Sequence, residues 1–366
     1  MNRIRFIAAI SLCIPFVIAG IHPGIAQDSA TAQDGYRVWA GTGESPLALP
    51  EKDPVHEALP PTSTPLGNPF GIECLSPDTV YLTTIDDHSV WRWQESDNVL
   101  HRVAGNGKQG YSGDGGPATM ATFNWPHEVR LDKNGDLYIA DTRNHVIRVI
   151  DAETGIIRTI AGDGQPGFQG DGKSGDAVRF SQPHSVVLDG TGGALVADTI
   201  NHRVRRIDLA TGIVTTFAGT GKPALPTNGA VASETPLFGP RSLAVDDQYI
   251  WVVLREGNSV WRIDRETSKI EHVAGTGQKG HTGDGGPPLH ATFRGPKGIA
   301  IDGQGHVLVV DTENHVVRRI DLTANTIETV GTSSKSNMKR PHGIAPFGAE
   351  AFLVGDSEMH RVLLGR

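Results

Sequence analysis

Six side chains stand directly after a proline that recurs along the chain: Phe70, His127, His184, Arg241, Lys297 and His342 follow Pro69, Pro126, Pro183, Pro240, Pro296 and Pro341. Three imidazoles and two cations at equivalent positions allow two chemistries. Neutral His127, His184 and His342 could hold zinc, with nitrogens ~2.0 to 2.1 Å from the metal. Arg241 offers a planar fork for a carboxylate or phosphate, Lys297 a neighbouring point charge, and the histidines donate hydrogen bonds or titrate near neutrality. In a third reading these residues merely fill a channel with water and hydrogen bonds. Elsewhere the units are near copies, so variation at this position is what a ligand-tuned site would show.

The positioning elements follow from the spacing of the prolines, which is 57, 57, 57, 56 and 45 residues. A fixed period of this length marks a repeat architecture, here of six units. Within the unit from Trp125 to Gly164, apolar residues recur every second position: Val129 and Leu131, Leu137 and Ile139, Ile147 and Val149. That period belongs to strands. Turns rich in Gly, Asn and Asp follow each strand, at Asp132–Gly135, Asp141–Asn144 and Asp151–Gly155, and supply the positive φ that hairpins need. Four antiparallel strands repeated six times predict an all-β, six-bladed β-propeller over residues 36–366, with blades starting near 69, 126, 183, 240, 296 and 341.

The last unit has room for three strands, and Tyr36–Gly43 matches the fourth strands Ile157–Gly164 and His272–Gly277. Strand 36–43 therefore completes blade six and closes the ring, which removes free sheet edges. Innermost strands line the axial channel, so the six post-proline side chains form a ring at its mouth. By strand parity this mouth lies on the face, termed A, that also carries the blade-to-blade connections and the second-to-third turns. The connections Gly105–Pro126, Gly162–Pro183, Gly219–Pro240 and Gly275–Pro296 are long, which predicts that face A is the working face. Three of them share a GxxGDG core with a ring-bearing residue, Tyr111, Phe168 or His281. Their amides could cradle an anion and their Asp could ligate calcium. The alternative is a compact turn whose Asp caps local backbone and whose ring docks on the next blade.

The segments Asp141-Thr-Arg-Asn-His145, Asp198-Thr-Ile-Asn-His202 and Asp311-Thr-Glu-Asn-His315 resemble NHL repeats. Ile85–His88, Glu256–Asn258 and Ser357–His360 keep parts of the pattern. The resemblance implies a six-bladed propeller that serves as a binding scaffold. An Asp or Asn at a turn bonds nearby amides and the following His can reach the neighbouring blade. Asp141, Asn144, His145, Asp198, Asn201, His202, Asp311, Asn314 and His315 are therefore read as structural. Pro-His at His127, His184 and His342 is similar to the metal-bearing strands of peptidyl-amidoglycolate lyases, whose zinc histidines occupy alternating blades. Here they fall on blades two, three and six, and Arg241 takes blade four. A metal-assisted lyase or hydrolase is the alternative to a scaffold. No acyl-transfer nucleophile motif, phosphate loop or dinucleotide fingerprint is present. A gluconolactonase-like site would need converging carboxylates, and Glu128 is the one carboxylate nearby.

Arg3 and Arg5, an apolar run from Phe6 to Ile21, and the small residues Gly24 and Ala26 predict a secretory signal peptide over residues 1–26, followed by a short flexible segment, 27–35. An uncleaved anchor is the alternative. Cleavage leaves Cys74 as the only thiol, which excludes an intramolecular disulfide. The net charge of -8, which becomes -10 without Arg3 and Arg5, argues against nucleic acid and anionic membrane surfaces as partners. The expectation is an exported monomer, periplasmic or extracellular, whose partner is a protein, peptide, glycan or small anion.

Overall fold

Each blade is a four-stranded antiparallel sheet built from the alternating runs described above. The computed structural model describes residues 35–46, 58–331 and 337–366. The expected signal peptide lies outside these residues, as does all of segment 27–35 except its last residue. Blade two shows the pattern: Pro126–Leu131, Leu137–Asp141, Val146–Ile150 and Ile157–Ala161 pair in sequence order from the channel outward. The other innermost strands are Pro69–Ser76, Pro183–Leu188, Pro240–Val245, Gly298–Ile301 and Ile344–Phe347. Six such sheets make the propeller, and blade three gains a short fifth strand, Lys173–Ser174. Arg37–Ala40 pairs antiparallel with Arg361–Gly365, so the N-terminal strand completes blade six as expected.

The apolar core lies between blades. Ile147 and Val149 of blade two pack on Val186 and Val196 of blade three, and one comparable cluster fills each of the six interfaces. Every blade needs both neighbours to bury its two faces, so closure of the ring holds the fold together.

The repeat signature forms the polar complement of those interfaces. Asp141 accepts the Asn124 N–H and the Asn144 side-chain amide, both at 2.8 Å, and lies 3.7 Å from the Arg148 guanidinium. Asn144 also donates to the Gly110 carbonyl at 2.7 Å. His145 caps the turn at φ 60°, a left-handed conformation in which His is enriched, and its Nδ1 accepts the Gln182 N–H of blade three at 3.1 Å. The degenerate units keep this last bond. His88, His202, His315 and His360 each accept one amide of the next blade through Nδ1, and Asn258 does so through Oδ1.

The long connections differ from expectation. Rather than building a rim around the channel, they lie along the outermost strand of the next blade: Gly115 N–H donates to Ile157 O, Gly172 to Val214 O, Gly229 to Ile270 O and Gly285 to Ile327 O. Their length is used to cover exposed strand edges. Asp114 explains the shared GDG. One oxygen accepts from the fully buried Arg148 at 2.6 Å and the other from Thr159 N at 2.9 Å, while Tyr111 reaches Thr159 at 2.9 Å. Asp284 repeats this with Arg318 and Thr329. An Arg on the carboxylate leaves these loops unsuited to calcium, which corrects that expectation.

Arg148, Arg205 and Arg318 are wholly buried, each between two aspartates. Removing one partner of such a group strands a charge in a dry interior. Asp198→Ala, which strips Arg205 of its buried partner, is expected to cost about 3 to 5 kcal/mol in urea unfolding. Glu271→Ala, at the exposed pair with Arg262, is expected to cost about 1 kcal/mol or less.

Candidate functional site

The six post-proline residues do converge. Phe70, His127, His184, Arg241, Lys297 and His342 line one small cavity, of about 30 Å³, at the face A end of the channel. Five of them are buried and His184 is half-buried. The aromatic members fill most of the ring themselves: Phe70 stacks on His342 with centroids 3.8 Å apart and lies 4.7 Å from His127, which is 4.5 Å from His184. The mouth is therefore nearly closed, with space for roughly one or two waters or the end of one small group.

Hydroxyls from the second-to-third turns set the histidines. Thr142 Oγ1 has a single proton and donates it to the Pro183 carbonyl of the next blade at 2.6 Å. The 2.6 Å contact between Thr142 Oγ1 and His127 Nδ1 must then be donated by the imidazole. His184 with Thr199 (2.8 Å) and His342 with Ser357 (2.9 Å) repeat the arrangement, because Thr199 donates to Pro240 O and Ser357 to Pro69 O. Burial, reinforced by the Arg241 charge, holds His127 well below the usual imidazole range, so His127 is neutral and its Nε2 is a bare acceptor. His342 is held down by burial and by Lys297, and its Nε2 accepts from Lys297 Nζ at 3.1 Å.

The two cations are less well compensated. Lys297 also donates to Glu313 at 3.1 Å, yet burial and the Arg241 charge pull it down to about 7. Arg241 is 8 % exposed, and its guanidinium has no hydrogen-bond partner among the described residues. Burial, then Arg255, lowers it to about 9, which leaves it charged at neutral pH. Glu128 and Glu256 act on this largely buried cation electrostatically but without a hydrogen bond, and such a cation favours an incoming anion.

Zinc does not fit these residues. Phe70 lies between the rings of His127 and His342, every Nδ1 is committed to a hydroxyl, and Lys297 occupies His342 Nε2. Among the described residues no three His, Cys, Asp or Glu side chains are grouped as a metal requires. The metal expectation for His127, His184 and His342 is corrected accordingly.

Two features escaped the sequence reading. One is the hydroxyl set Thr142, Thr199, Thr312 and Ser357, visible as the second letter of the three Asp-Thr-x-Asn-His turns and of Asp356-Ser-Glu-Met-His360. The other is a buried charge cluster deeper in the channel, where Arg130 bonds Glu128 and lies 3.6 Å from Glu73. Its signal is a charged fifth strand residue where other blades carry Val or Ala.

Family comparisons agree with this architecture. The NHL repeat model matches residues 123–150 and 180–207, and the teneurin NHL domain model matches 241–346. The chain is an NHL-repeat propeller. It is 28 % identical over 276 residues to the chloroplastic protein SUPPRESSOR OF QUENCHING 1 of Arabidopsis thaliana, covering 72 % of this chain and 26 % of that protein. It is 28 % identical over 294 residues to NHL repeat-containing protein 2 of Bos taurus, covering 69 % and 40 %. This NHL propeller thus spans well under half of those relatives. A probable peptidyl-alpha-hydroxyglycine alpha-amidating lyase of Caenorhabditis elegans is 23 % identical over 245 residues, with 66 % and 63 % covered. In fold it resembles a structural genomics protein of Bacteroides thetaiotaomicron, with TM-score 0.64, 16 % identity and 91 % and 76 % of the two chains covered.

If the hydroxyls set the imidazoles, Thr142→Val removes the acceptor of a buried N–H and is expected to cost about 1 to 3 kcal/mol. Nitrogen NMR of the wild-type NHL propeller at neutral pH should show His127 protonated on Nδ1. Protonation on Nε2 would contradict the assignment.

Proposed function

We propose that this NHL-repeat propeller is a binding scaffold whose channel mouth on face A takes the anionic end of a ligand. The observation that carries the reading is the buried Arg241 guanidinium, which lines the cavity without a hydrogen-bond partner among the described residues. Lys297 stands beside it as a second cation, and the bare Nε2 of His127 accepts a proton donor from the same ligand. The cavity admits a carboxylate or a similar small group and little more. The body of the ligand, a peptide or small acid, then lies outside on face A. The wider surface is acidic, so this local positive spot focuses anions. Because the donor set does not suit a metal, the scaffold reading is preferred to a metal-assisted lyase or hydrolase.

We also place the working protein outside the cytoplasm, a reading supported by Arg3, Arg5 and the apolar run that follows them.

Calorimetric titration with short peptides bearing a free C-terminal carboxylate tests the site. Arg241→Met should weaken binding about tenfold or more, the value of a charge-assisted hydrogen bond, while C-terminal amides should not bind. Unchanged affinity in that variant would contradict the proposal.

The pH dependence follows from Lys297. Its charged form binds the anion and its pKa is about 7 in the free protein. A bound anion raises that value, so binding takes up a proton above pH 7. Affinity should be level below about pH 7 and fall by up to about tenfold per pH unit above it. Lys297→Met should bind more weakly, with that slope removed.

A further inference from the structure

The opposite end of the channel holds a larger cavity, of about 270 Å³, that the anion site does not use. It is built from the fourth residue after each opening proline. On four blades that residue is small and apolar: Val187, Ala244, Ala300 and Ala345. On the other two it is Glu73 and Arg130. The alanines stand where larger side chains would fill the axis, which leaves the space. A cavity of about 150 Å³ accommodates benzene, so this one has room for a ring with a short chain.

Charge decides what kind of molecule fits. Arg130 lines both cavities and separates them. Its guanidinium is committed upward and sideways, to the Glu128 carboxylate and to the Val129 and Ile72 carbonyls. Glu73 approaches it as an ion pair, with 3.6 Å between Arg130 Nε and the carboxylate, accepts one further hydrogen bond from the Leu131 backbone, and its side chain is 23 % exposed. One cation thus faces two carboxylates, and the less compensated of the two opens into the aliphatic cavity. Among the lining residues no second basic side chain is present. A half-buried carboxylate that shares its one cation with a second carboxylate favours a partner cation.

We infer that the face B cavity is a second ligand site, for a small organic ammonium ion whose ring or alkyl body packs on Val187, Ala244, Ala300 and Ala345 while its N–H groups bond Glu73. This site is independent of the anion site and of its occupant. The binding step is non-covalent: the ammonium keeps its protons and Glu73 stays ionised. The titratable groups facing the carboxylate are Glu128, Arg130 and the Cys74 thiol. Burial raises the Glu73 carboxyl above its ordinary range, and Arg130 opposes that rise. A proton therefore competes with the ammonium, and affinity falls as pH is lowered.

The full chain can be titrated with 2-phenylethylamine, its neutral isostere 2-phenylethanol and the anion phenylacetate, read by NMR shifts of the Ala244, Ala300 and Ala345 methyls. The ammonium should bind about tenfold or more tightly than the alcohol, and phenylacetate should leave these methyls unmoved. Glu73→Gln should reduce the preference for the ammonium to less than about twofold, while Ala300→Leu should abolish binding of both amine and alcohol. Circular dichroism and melting curves establish that both variants fold. Arg241→Met should leave amine binding unchanged, which separates this site from the anion site. Equal binding of amine and alcohol to the wild type, retained preference in Glu73→Gln, or no shift of the three methyls at amine concentrations of several millimolar would overturn the inference.

Discussion

The hydrogen bond from a turn hydroxyl to the opening proline carbonyl of the next blade is the contact on which both the ring and its site depend. Thr142, Thr199, Thr312 and Ser357 each make it, at 2.6 to 2.8 Å. The bond seats one blade on the next at the channel wall. It also spends the hydroxyl's single proton. On three blades the same oxygen must then accept from an imidazole, so the contact that assembles the ring also fixes the direction each histidine faces. Architecture and site chemistry share one atom.

The outer signature works at a larger radius to the same end. Each unit presents a His or Asn acceptor to an amide of its neighbour, and three units add an Arg buried between two aspartates. The ring is cooperative for this reason: a blade removed from its neighbours exposes two apolar faces and leaves these polar groups unpaired. The channel differs from the interfaces in one respect. At three interfaces a buried Arg lies between two aspartates, whereas in the channel Arg241 near one end has no hydrogen-bonded counter-ion and Glu73 near the other shares Arg130 with Glu128. Incompletely compensated charge costs folding energy wherever water is excluded, and the two proposed ligands are those that would supply the missing counter-charge at each end.

Much of this was legible in the sequence. Proline spacing, period-two alternation and the match of Tyr36–Gly43 to later fourth strands led to six closed blades, because these are local patterns repeated many times. The identity of the ring residues was legible for the same reason, since a fixed offset from Pro126 places His127 wherever the fold places the strand. What the ring does was not. Whether His127 faces a metal or a hydroxyl depends on Thr142 and on Phe70, which meet it only in three dimensions. The long connections misled because length alone does not distinguish a binding rim from a strap over a strand edge. Nothing in Gly105–Pro126 indicates that Gly115 will bond Ile157 of the next blade. Glu73 and Arg130 stand 57 positions apart, and their pairing between the innermost strands of neighbouring blades follows from ring geometry rather than from either local segment.

The central claim is that Arg241 and Lys297 await an anion at face A. The most direct measurement is anomalous diffraction from crystals grown with 4-bromobenzoate. The account predicts the carboxylate against the Arg241 guanidinium and Lys297 Nζ, with the bromine projecting out onto face A. Ordered water alone in that cavity, or bromine signal confined to the opposite end of the channel, would contradict it.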